Sequence, residues 1–209
     1  IWGWLYCCPS FFLKEGRMAE TALITELEVV NSVLSVAGDN PVQALTDNYQ
    51  PVFIIRQMIK NISRDLQTKK YWFNTEYDVD FIPNTENDKI TLPFNLLDFE
   101  PVKTKYVARG LTVFDRENRT STITETVTAD LTIMLGFDEL PQVARKFIQA
   151  AARVQYNDEY FGEQSLKGSL DKQLQDARNE IDRAHMDNEN INIFNSTRSN
   201  DIAYKNRRR

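Results

Sequence analysis

Histidine and cysteine are almost missing from this chain. His185 is the only histidine among 209 residues, and the two cysteines, Cys7 and Cys8, are neighbours. Adjacent thiols rarely form a structural disulfide, and two thiols with one imidazole do not supply a four-ligand zinc site. A reducing compartment suits such a chain, and neither a metal nor another cofactor is expected. Glycine and proline are scarce too, at seven each, too few for a low-complexity chain. No glycine-rich phosphate loop, Walker motif or Rossmann fingerprint occurs. Positive charge is in deficit, with 25 Lys and Arg against 30 Asp and Glu and a net charge of -5. That balance argues against gripping nucleic acid over a broad face, although DNA could pass such a surface without sticking.

What is present is ordinary for a globular chain of one domain or a domain plus an insert: 42% hydrophobic and 26% charged residues. The opening IWGWLYCCPSFFLKEGR puts apolar residues before basic ones, the reverse of a secretory signal, and Pro9 interrupts a run too short for a bilayer. No membrane contact is expected. Met18 reads as the natural start, with residues 1–17 extraneous or flexible. The other reading makes Trp2, Trp4, Phe11 and Phe12 an aromatic peg.

Helical periodicity dominates both ends of the remaining chain. Leu23, Leu27, Val30, Leu34 and Ala37 predict an amphipathic helix over 20–37, closed by Gly38. Val52, Ile55, Ile59, Ile62 and Leu66 predict a second over 51–68, capped by Asp47 or Asn48. Residues 138–187 read as two more helices broken at Phe161-Gly162-Glu163, each about 30 Å long at 1.5 Å per residue. The first carries Val143, Phe147, Ile148, Ala151 and Val154, with Asp138, Glu139 and Pro141 as start signals. The second carries Leu166, Leu170, Leu174, Ala177, Ile181 and Ala184. A short link between them implies an antiparallel hairpin.

Between the helical halves the period changes to two. Tyr71, Phe73, Thr75, Tyr77, Val79 and Phe81 alternate with polar and acidic neighbours, a strand with one buried face. Further strands are predicted at 89–92, 103–108, 111–115 and 122–135, the last bent or divided near Ala129. The expected fold class is therefore α+β: a four-helix domain with an inserted antiparallel β region. The boundaries are 18–70 and 136–187 for the helices, 71–135 for the insert, and 188–209 for a flexible tail ending in Lys205-Asn206-Arg207-Arg208-Arg209.

No catalytic set emerges. His185 lacks a Ser, Cys or carboxylate at a recognisable spacing and reads as a surface or interface residue near a helix end. Acid pairs (Asp78 with Asp80, Asp138 with Glu139, Asp158 with Glu159) leave open a glycan hydrolase, since such an enzyme needs only two carboxyls. The basic and aromatic run at 69–73 resembles a single-strand binder, but at a helix-to-strand junction core closure is the simpler role.

Several short motifs follow one another in the chain: Trp72-Phe73-Asn74, Val107-Ala108-Arg109-Gly110 with Val113-Phe114-Asp115, Phe137-Asp138-Glu139-Leu140-Pro141, and Gln155-Tyr156-Asn157 to Phe161-Gly162. In their order and spacing they resemble the tail tubular protein A family, the adaptor or gatekeeper of short-tailed bacteriophages. The resemblance covers roughly 20–194, and nothing before Met18 has a counterpart. It implies a non-enzymatic ring of twelve copies beneath the portal protein, bridging to the tail nozzle protein and surrounding the DNA. It further implies that the helices make ring and portal contacts while the β region faces the nozzle and tail fibres. Arg145, Lys146, Arg153, Asp158, Glu159, Arg178 and Arg183 are the candidate subunit or portal contacts, because charges on the outer faces of the last two helices can pair across a heterologous interface.

Overall fold

The structure is a computed structural model that describes residues 22–46 and 48–189. The expectations for residues 1–17, the C-terminal tail and an Asp47 cap lie outside the described residues.

Helix α1 (Glu26–Leu34) is shorter than its periodicity suggested. Thr25 caps it: its hydroxyl accepts the Glu28 N–H, and Glu28 returns a bond to the Thr25 N–H. This reciprocal box stops the helix from reaching back to Leu23, which is exposed. Its buried face is Val29, Val30, Val33 and Leu34. After Gly38, whose φ of 75° only glycine adopts freely, the loop is pinned by Asn31. Its side chain exchanges two hydrogen bonds with the Val42 main chain. Helix α2 (Gln50–Gln67) starts without a side-chain cap, Tyr49 standing at that position, and Pro51 supplies the preset φ of the first turn. Val52, Ile55, Ile59 and Leu66 are buried as their spacing implied, joined by Met58, Ser63 and Gln67.

The β region departs further from its pattern. Residues 71–74 form a turn rather than the start of a strand, and Tyr71, Trp72 and Phe73 pack into the helical core. Strand β1 (Thr75–Phe81) carries a one-residue bulge between Glu76 and Val79, with Asp78 at φ 54°. The bulge flips Tyr77 outward and brings Val79 and Phe81 inward. Strand β2 (Leu96–Pro101) had no sequence signal, because a second register shift between Leu96 and Asp98 hides its period and prolines bracket it. Residues 89–92 make only a bridge, Thr91 to Thr112. The hairpin of β3 (Tyr106–Arg109) and β4 (Thr112–Asp115) stands apart from the three-stranded antiparallel sheet β1-β5-β2. Strand β5 (Val127–Ile133) runs through Ala129 without a break.

The third helical segment begins as a 3-10 turn at Phe137–Glu139. Pro141 then serves as the N-cap of α3 (Gln142–Tyr156), outside the first turn. A π-helical turn, Asn157–Phe161, leads to Gly162 at φ 72°, and α4 (Gln164–Asn188) turns back along α3. Helix α3 is central and packs against α1, α2 and α4, whereas α2 and α4 make no extended contact with each other. One hydrophobic core belongs to the helices together with Tyr71, and a second lies in the β region around Tyr106, Val113, Phe99 and Leu131.

Candidate functional site

The two cores are joined by a buried polar network that the sequence did not announce. Gln67 is fully buried; its amide donates to the Leu135 carbonyl (3.1 Å) and Ser63, and accepts the Leu135 N–H (2.7 Å). Asn74 donates to the carbonyls of Gln67 (2.6 Å) and Ile133 (3.3 Å) and accepts the Tyr71 N–H. Two carboxamides thus satisfy the main chain where α2 ends and where β5 leaves the sheet. The β region is held at a defined angle to the helices. A faint signal existed: Ser63 and Gln67 stand four apart, beside the apolar stripe of α2. Lys70 adds an exposed clasp to Asp98 (3.1 Å) and Glu100.

The seven contact candidates separate once their surroundings are known. Arg145 is buried, and its guanidinium donates to three carbonyls of its own chain, Leu140 (2.8 Å), Ile24 (2.7 Å) and Asp138 (2.6 Å). It ties the segment before α1 to the turn before α3, so an outward role does not fit it. Burial without a carboxylate is tolerated because every bond is charge-assisted and fills an otherwise orphaned acceptor. Sequence periodicity missed it because α3 is central and buries more than one stripe.

The other six are at the surface. Lys146 pairs with Glu180 across α3 and α4 at 2.9 Å, and Arg153 donates to Gln173 at 2.6 Å. Arg183 lines a hollow of about 530 Å3 with Val143, Asp176, Asn179, Glu180, Ala184 and Asp187. A smaller hollow of about 240 Å3 adjoins it, lined by Lys146, Gln149, Ala150, Arg153, Gln173 and Ala177, and sharing Asp176 and Glu180. Together they form one furrow between α3 and α4, floored by alanines and edged by charge. Lys146 and Arg153 line the smaller hollow and Arg183 the larger, so the three are spread along one furrow. Asp158 and Glu159 lie in the π-helical turn at the far end, where Asp158 binds Lys167 (3.1 Å) and Glu159 accepts from Gln155 (2.7 Å). Arg178 is on the opposite flank of α4, over the Phe147 ring.

That opposite flank also carries His185. The half-buried imidazole packs against Tyr71 (5.3 Å between centroids) and Trp72 (6.1 Å), and its Nδ1 is buried without a hydrogen-bond partner among the described residues. It closes the aromatic junction between α4 and the turn leading to β1. Burial, with the Asp182 carboxylate nearby, raises the Tyr71 phenol above its usual range.

The acid pairs of the hydrolase alternative do not converge. An open hollow of about 1000 Å3 between β2 and the β3–β4 hairpin includes Asp78, but Asp80 is not in its lining and accepts the Thr128 hydroxyl instead (2.6 Å). Glu139 accepts the Gly136 N–H as a local cap. The tightest charge cluster is elsewhere: Glu125 receives Lys103 (2.5 Å), Lys105 (2.8 Å) and the Tyr106 hydroxyl. Those three donors hold its carboxyl down at about 2. Glu125 was not singled out from sequence, since all its partners are at least 19 residues away in the chain. It ties the segment before β5 to the start of β3.

Among the described residues no group of His, Cys, Asp and Glu is arranged to hold a metal ion, and no helix is long and apolar enough to cross a membrane. Comparison with known families returns a match of residues 27–191 to the model described as tail tubular protein. No curated protein matches the chain.

Proposed function

The chain belongs to the tail tubular protein family and is a structural component of the phage tail; from that premise we propose that it is the adaptor that joins the portal to the tail nozzle. In this reading twelve copies form a ring around the path of DNA, with tail fibres near the β region, and the protein assembles in the host cytoplasm. The observation that carries it is α4. Of its 25 residues only Leu170, Ala177 and Ile181 are buried, so most of the helix surface is left open among the described residues. A helix of that length held along one narrow stripe has free faces for neighbours.

The contact residues in this proposal are Lys146, Arg153, Asp158, Glu159, Arg178 and Arg183; Arg145 drops out. The net negative charge of the chain supports a channel through which DNA slides, because multiple Lys–phosphate contacts would retain it instead. Negative-stain imaging of the purified protein mixed with portal rings tests the reading. The expected result is an added ring stacked coaxially on the portal. Portals left bare by a protein that remains monomeric would overturn it.

A further inference from the structure

The helical domain presents two unlike faces on opposite sides of α3. On one side, the exposed stripe of α2 carries Phe53, Gln57, Lys60 and Arg64, at steps of four, three and four residues. Phe53 is 54% exposed, and neither Lys60 nor Arg64 makes an ion pair among the described residues. On the other side lies the furrow of α3 and α4, floored by Ala150, Ala177 and Ala184, edged on α4 by Asp176, Glu180, Arg183 and Asp187 and on α3 by Lys146 and Arg153. Asp176 likewise has no ionic partner among the described residues, and Glu180 has one bond, to Lys146.

We infer that the α2 face of one copy seats in the α3–α4 furrow of the next. This deepens the ring reading and rests on it. Lys60 and Arg64 stand four residues apart, as do Asp176 and Glu180, so both pairs are about 6 Å apart along their helices and can meet in register. The alanine floor lets a helix approach closely, and Phe53, on the same stripe as Lys60, supplies an aromatic anchor of the kind that dominates interface energies. α3 lies between the two faces, so a copy cannot satisfy its own furrow with its own α2. Different patches on each partner make the contact heterologous, the type that closes into rings.

The test uses two full-length variants, Lys60→Glu with Arg64→Glu, and Asp176→Lys with Glu180→Lys. All four positions are exposed or at the furrow edge, and circular dichroism checks that each variant folds. Each variant alone should associate at least about tenfold more weakly than wild type by analytical ultracentrifugation, because like charges would then face each other. Mixing the two should restore association, since each reversed face then meets its reversed partner. Wild-type association should weaken at high salt. Variants that associate like wild type, or a mixture that stays dissociated, overturn the inference while leaving the adaptor reading intact. If the variants lose portal binding but not self-association, the furrow belongs to the portal instead. A wild-type protein that neither self-associates nor binds portal rings overturns the adaptor reading and this inference together.

Discussion

Helices α3 and α4 lie side by side, yet they do opposite jobs. α3 has 15 residues and buries seven, including an arginine; α4 has 25 and buries three. The shorter helix is surrounded by three others, and the longer touches mainly one. The difference teaches that an amphipathic pattern gives the stripe a helix must bury but not how many neighbours it will have. A central helix buries flanking positions that its own periodicity assigns to solvent.

Exchanging equivalent chemistry on the two helices sharpens the contrast. Arg145→Met should cost about 3 kcal/mol in denaturant unfolding, since it strands three carbonyls that the guanidinium now satisfies. Arg183→Met on α4 should change stability by no more than about 0.5 kcal/mol, as exposed substitutions usually do. Equal losses at both positions would erase the distinction between core and interface helix.

A smaller effect, of opposite sign, is expected within α4. Gly168 lies in its second turn with open space around an added Cβ and no left-handed φ. Gly168→Ala should raise stability by roughly 1 kcal/mol. No gain would mean that this end of α4 is already frayed in isolation and gains its order from a neighbour.

The mildest shift belongs to the β region, where exposed ion pairs contribute little. The Glu125 carboxyl is lowered from 4.5 to about 2 in the folded chain. Its contribution is therefore complete above pH 4.5 and lost as pH falls toward 2. Acid titration should loosen the β3–β4 hairpin in that window, and Glu125→Gln should flatten the dependence when hairpin amide exchange is followed.

Much of the helical half was legible because local chemistry and burial agree there. Val52, Ile55, Ile59 and Leu66 are buried as spaced, and Gly162 ends its helical turn in the left-handed conformation. The β region was read less well because two bulges break its alternation, one in β1 and one in β2. Each shifts the inward face by one residue, and nothing in the composition marks where. Of the contact candidates, Lys146, Arg153 and Arg183 share a furrow, but charge patterning alone gave Arg145 the same standing. Its partners are the carbonyls of Ile24, Leu140 and Asp138, one of them 121 residues away.

By itself the sequence determined the four α-helices of the described residues, the change of period between them, and the lack of a histidine and cysteine set for metal chemistry. These follow from interactions within a few residues: side-chain spacing, caps and backbone preference. Only the tertiary structure decided which helix is central, that Gln67 and Asn74 lock the β region to the helices, and that His185 sits among aromatic rings. Those outcomes depend on groups brought together from distant parts of the chain. A residue's solvent exposure is a property of its neighbours in space, which local periodicity does not encode.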